Sequence, residues 1–262
     1  MEKLEKFLVW ALLAVILLMA GAGFCLYLRG TSEVPEETLP PATQPAPSME
    51  TETAPPAPTD PEGPLRVACL GDSITYGHGI SKRKENSYPA KLAALLGEGY
   101  LVENFGIPGG ALQSSSDMPL REEELYCQCL AWEPDVIVLM LGTNDSKPQN
   151  WAGEEIFREE LLSLLKALGA GEEPPEIYLC TPAAAFFRGN STAAVTEFDI
   201  QPAVVDAIAE TVREISRTEG YPLIDIHGLT AGNPQWIRED GVQPDKAGAA
   251  AIAQAVFDAL AQ

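Results

Sequence analysis

Between Leu65 and Gln262, short apolar runs alternate with longer segments whose apolar residues follow a helical period. The short runs predict strands at Leu65–Leu70, Tyr100–Asn104, Asp135–Leu141, Glu176–Cys180 and Tyr221–Ile226. The longer segments predict helices at Ser87–Leu96, Leu120–Trp132, Gly153–Leu168, Gln201–Glu219 and Lys246–Leu260. The run VIVLML (Val136–Leu141) has no polar alternation, so both of its faces need cover, which marks a central parallel strand. Strand and helix alternate throughout, which predicts an α/β domain: an open parallel sheet of five strands with helices on both faces. In such sheets ligands sit beyond the carboxyl ends of the strands, so chemistry is sought directly after each strand.

A different pattern precedes this domain. Phe7–Leu28 is uncharged over 22 residues, enough at about 1.5 Å rise each to cross a hydrocarbon core of roughly 30 Å. The run exceeds the roughly 7–15 apolar residues of a cleavable signal peptide, which favours a membrane anchor within residues 1–30. Ala20-Gly21-Ala22 still fits a cleavage site, and both readings stay open. A lipoprotein reading through Cys25 is disfavoured by bulky Phe24 before it. Lys3 and Lys6 precede the run, and between Arg29 and Arg66 no base occurs, so the positive-inside rule places the rest of the chain outside the cytoplasm. Residues 31–64 hold ten prolines and seven acids against no base. Such a stretch cannot bury enough apolar surface to order itself and reads as an extended linker.

The whole chain carries 38 acids and 17 bases, a net charge of −21. That balance repels phosphate backbones and argues against nucleic-acid partners. Five cysteines in 262 residues do not make a disulfide framework, and no spacing suggests a zinc site, a P-loop or a dinucleotide fingerprint. No metal or organic cofactor is implied. Cys69 and Cys180 fall in strands and read as small core residues.

The ends of the strands are more specific. The first runs into Gly71-Asp72-Ser73, with Ser73 at a strand-to-helix turn where backbone N–H groups favour developing negative charge. The second ends in Asn104-Phe105-Gly106-Ile107-Pro108-Gly109-Gly110, whose glycines leave backbone N–H groups accessible. The third ends in Gly142-Thr143-Asn144-Asp145, which offers an amide donor. Asp240-Gly241-Val242-Gln243-Pro244 precedes the last helix.

In this order, each after a predicted strand, these motifs resemble the SGNH (GDSL) hydrolase family over nearly all of Leu65–Gln262. The stretch Gly142–Trp151 resembles the carbohydrate O-acetylesterase branch. The resemblance implies a flavodoxin-like three-layer α/β/α fold and hydrolysis of an acyl ester, an acetyl ester of a glycan above all. It also implies roles. Ser73 matches the nucleophile. The Ser73 N–H, the Gly109 N–H and the Asn144 side chain match the oxyanion hole, Gly109 lying five residues after Asn104 as in the family. Asp240 matches the acid of the D-x-x-H motif.

At the last position of that motif the family carries histidine and this chain carries Gln243. A serine hydroxyl needs a base to take its proton, and a glutamine amide does not titrate usefully. Only His227, after the fifth strand, and His78, five residues past Ser73, are available as substitute bases. A carboxylate such as Asp240 is too weak a base to replace them. Two readings from different classes follow. One is an anchored ester hydrolase impaired at its base. The other is a non-catalytic module that binds an acylated glycan or cell-wall fragment. A surface scaffold with a vestigial pocket is a third.

Overall fold

The computed structural model describes residues 63–187 and 196–261, which belong to the unit Pro61–Gln262. The expected anchor (Phe7–Leu28) and the linker up to residue 62 lie outside the described residues. Among those described, no helix is long and apolar enough to cross a membrane.

Among the described residues, five parallel strands form one sheet: β1 (Leu65–Gly71), β2 (Tyr100–Gly106), β3 (Val136–Met140), β4 (Glu176–Cys180) and β5 (Leu223–Ile224), in the order β2-β1-β3-β4-β5. Among the described residues, eight α-helices accompany them: α1 (Ser73–Tyr76), α2 (Arg83–Asn86), α3 (Tyr88–Leu96), α4 (Glu124–Ala131), α5 (Glu154–Leu168), α6 (Pro202–Glu219), α7 (Ile226–Ala231) and α8 (Lys246–Leu260). Successive strand residues point to opposite faces, so each strand feeds two cores. Ala68, Leu70, Ile137, Leu139, Ile177 and Leu179 pack with residues of α4, α5 and α6. Val67, Cys69, Val138, Met140 and Cys180 pack with residues of α3 and α8. Every residue of β3 is buried, as the run without polar alternation requires.

The departures from the expected elements have local causes. The helix expected over Leu120–Trp132 is interrupted at Glu123, whose backbone is extended (φ −83°, ψ 137°) and joins a single 3-10 turn to α4. The strand expected over Tyr221–Ile226 shrinks to two residues, because Asp225 caps α7 by accepting from the Gly228 N–H. Such a cap stabilises a helix by about 1 kcal/mol. Asp245 does the same for α8, accepting from the N–H groups of Ala247 and Gly248.

Candidate active site

The end of β1 is built around a close approach. A Cβ on Gly71 would lie 2.3 Å from Thr75 Oγ1 and 2.5 Å from the Met140 carbonyl oxygen, so only glycine fits. Asp72 then caps α1 by accepting from the Ile74 N–H, and Ser73 is the first helical residue. Its N–H therefore has no carbonyl one turn earlier to meet. Asn104 ties this turn to β2: its Nδ2 donates to the Thr75 carbonyl, and its Oδ1 accepts from the Gly106 N–H. Ser73 is 9% exposed.

The segments after β2 and β3 are joined by side chains. Asn144 opens a 3-10 turn, and its Nδ2 donates to the Gly110 carbonyl at 3.0 Å, leaving its second amide hydrogen. Asp145, fully buried, accepts from the N–H groups of Leu112 (3.0 Å) and Gln113 (2.7 Å). Asn150 donates to the Asn144 carbonyl and to Asp117, whose N–H returns a bond to Asn150 Oδ1. Gly109, half-buried at φ +89°, thus lies on a loop fastened to the Asn144 turn at several points, and among the described residues its N–H has no acceptor.

The third contribution comes from the loop before α8. Asp240 Oδ1 accepts from the N–H groups of both Val242 and Gln243, which folds the loop so that Gln243 turns inward. Gln243 Nε2 donates to Ser73 Oγ at 3.0 Å. Gln243 is 4% exposed, and its Oε1 is buried with no partner among the described residues. Arg238 lies beside this loop. Its N–H donates to the Gln243 carbonyl, and its Nη1 is 3.8 Å from Asp240 Oδ2. Its guanidinium rests on Gly79, where a Cβ would lie only 1.6 Å from Nη1.

Ser73 and Gln243 are therefore in direct contact, and Asp240 supports Gln243 through the backbone rather than through its side chain. The two histidines stand elsewhere. His227 Nε2 pairs with Asp206 at 2.9 Å and Nδ1 faces Arg213, both on α6. His78 is exposed, and its ring meets Phe198 edge-on at 6.2 Å. Neither ring bonds Ser73; among the described residues the Ser73 hydroxyl has Gln243 as its side-chain partner.

Two carboxylates behind the pocket escaped the sequence reading. Burial pushes both Asp72 and Asp145 up to about 6, and the charge of Asp72 adds to the effect on Asp145. The Thr143 hydroxyl is close enough to favour ionised Asp72, yet neither Thr143 Oγ1 nor Asp72 Oδ2 closes a hydrogen bond of good geometry. Arg238 and Asn150 were missed as well. The one signal for Asp72 and Asp145 was an acid inside a short loop directly after an apolar strand, with no base beside it.

Comparison with known proteins bears on the family and the fold. The sequence profile of the GDSL-like lipase/acylhydrolase family matches residues 69–251. An acetylxylan esterase from Xylanibacter ruminicola is 35% identical over 221 residues, covering 78% of this chain and 44% of its own length. The chain thus spans less than half of that relative. Among solved structures, a carbohydrate acetylesterase from Sinorhizobium meliloti superposes with a TM-score of 0.61 at 18% identity, over 75% of this chain and 98% of its own. The aryl esterase of M. smegmatis does so with 0.61 at 19% identity, over 75% and 98%. At these identities the superpositions speak for the fold.

Proposed function

The chain belongs to the GDSL-like lipase/acylhydrolase family, and on that premise we propose that its globular domain is a serine ester hydrolase for acetyl groups on a carbohydrate, impaired by Gln243. Ser73 is the nucleophile. The N–H groups of Ser73 and Gly109 and the free Nδ2 hydrogen of Asn144 receive the oxyanion that forms when Ser73 Oγ attacks the ester carbonyl. The reading rests on one contact, Gln243 Nε2 to Ser73 Oγ at 3.0 Å, because it fills the place from which a base would act. An amide cannot take the serine proton, which passes instead to water as Oγ bonds the carbonyl carbon; the oxyanion then expels the sugar hydroxyl and water hydrolyses the acetyl-serine, so turnover is slow. In a comparable serine hydrolase, loss of the base costs roughly 10⁶ in turnover, and roughly 10³–10⁴ over water survives through the oxyanion hole and binding. The acetyl-glycan substrate is carried over from the acetylxylan esterase relative.

The test compares the full chain, in detergent, with Ser73→Ala on an acetylated xylo-oligosaccharide. Slow turnover that disappears in Ser73→Ala supports the proposal. Turnover as fast as an intact esterase's, or unchanged in Ser73→Ala, removes it.

A second reading, a non-catalytic binding module, is favoured by the direction of the same hydrogen bond, since the amide makes Ser73 Oγ an acceptor. It expects saturable glycan binding with no turnover. In either case we place the anchor in residues 1–30, the linker in 31–64 and the hydrolase-like domain in 65–262, outside the cell membrane. The uncharged run Phe7–Leu28 and the distribution of lysines and arginines support this. Recovery of the chain in the membrane fraction, with the domain open to external protease, is the expected result.

A further inference from the structure

Histidine in the place of Gln243 would offer Ser73 a proton acceptor. The amide that stands there presents its donor end, and its acceptor end, Oε1, is shut away from solvent. The polarity at the centre of the pocket is thereby inverted. Because Ser73 Oγ accepts from Gln243, the serine proton is free to be donated to a ligand. Asn144 keeps one amide hydrogen, and the Gly109 N–H has no acceptor among the described residues. The carboxylate on the same loop, Asp240, has turned Oδ1 onto backbone N–H groups. Beside the Asp240 loop, the Arg238 guanidinium is seated on Gly79, with Asp240 Oδ2 at 3.8 Å as its one ionic partner among the described residues. The groups offered to a ligand are donors, and none of them is a base.

We infer that this pocket binds a carboxylate anion, the acid rather than the ester. The inference rests on the reading that Ser73, Gly109 and Asn144 form one oxyanion pocket. A neutral ester presents one carbonyl oxygen to those donors. A carboxylate presents two oxygens and about four acceptor sites. Its charge-assisted bonds are also roughly twice as strong as neutral ones. The net charge of −21 and the buried pair Asp72 and Asp145 oppose an anion. Affinity is therefore read at about 0.15 M salt, where distant charges are screened, and at one pH, 7.5.

The experiment titrates the full chain in detergent with acetate and, separately, with methyl acetate, followed by ligand-observed NMR. Acetate is expected to saturate and to bind at least about tenfold more tightly than methyl acetate. Ser73→Ala and Asn144→Ala are each expected to weaken acetate about tenfold. Gln243→Glu, which puts a carboxylate in place of the donor, is expected to abolish acetate binding. Arg238→Gln is expected to weaken acetate and leave methyl acetate unchanged. Melting curves of all variants show that they are folded. If methyl acetate binds as well as acetate, the inference falls and the ester pocket stands. If neither binds, both fall. If acetate binding survives Ser73→Ala and Gln243→Glu, the anion sits elsewhere and the inference falls.

Discussion

Replacing Gln243 with histidine restores a base to a pocket that otherwise keeps its parts. Both side chains reach Nε2 through an equal number of bonds from Cα, and the amide nitrogen already stands 3.0 Å from Ser73 Oγ. That distance lies within the roughly 2.6–3.2 Å over which a base takes a proton. The loop needs no rebuilding, because Asp240 Oδ1 holds it through the backbone N–H groups of Val242 and Gln243. The new imidazole must be oriented by Asp240 Oδ2, however, and that oxygen faces Arg238 at 3.8 Å. Full recovery of the roughly 10⁶ that a base supplies in an evolved triad is therefore not expected. A positioned general base is worth about 10²–10⁴, or about 2.7–5.4 kcal/mol at about 1.36 kcal/mol per factor of ten. The assay is initial-rate hydrolysis of p-nitrophenyl acetate by Gln243→His, with Ser73→Ala/Gln243→His as control, since an imidazole attacks activated esters unaided. The rate should rise with pH as the imidazole loses its proton, then level off. A gain below tenfold, or one that persists in the double variant, refutes the reasoning.

Three further outcomes follow from the same geometry. Asp145→Ala leaves two buried N–H groups unpaired at about 1–3 kcal/mol each, so Tm should fall on the order of 10 °C, and a drop under about 2 °C would show that the clamp is dispensable. Asp72 and Asp145 are raised in the folded state from the ordinary 3.8 to about 6, so the folded form holds more protons between those limits. Their contribution to stability is full below about 4 and is lost as pH rises through about 6. Tm should be higher at pH 5 than at pH 7.5, and Asp145→Asn should narrow that difference; an unchanged difference contradicts the assignment. Gly106→Ala should destabilise by more than about 3 kcal/mol, because its Cβ would lie 2.1 Å from the Tyr76 nitrogen, whereas Gly99→Ala, with nothing within 4 Å, should melt within about 2 °C of wild type.

The five strands and the two helical layers were legible because short buried runs such as VIVLM alternate with segments of helical period. What stayed hidden was decided locally, at single residues. Asp225 shortens β5 by starting a helix, and extended Glu123 breaks a segment that propensity alone would have kept helical. In the site, Ser73, Asn144 and Gln243 were readable because the motifs that carry them resemble those of the hydrolase family. The structure adds which atoms meet. Spacing does not show that Gln243 presents nitrogen rather than oxygen, or that Asp240 spends its carboxylate on the backbone. Nor does it show that Asp145, next to Asn144, fastens the neighbouring loop. The first and the last depend on contacts between segments distant in sequence, whereas the Asp240 bonds are local turns of one loop.

The bond between Gln243 and Ser73 joins residues 170 positions apart. During synthesis at about 5–20 residues per second, the serine waits roughly 9–34 s before its partner has even been polymerised. Through that interval the hydroxyl lacks this partner. The pocket is completed only when the loop before α8 arrives, so a nascent or truncated chain ending before residue 243 lacks it. Any ligand retained there is a token of a finished polypeptide.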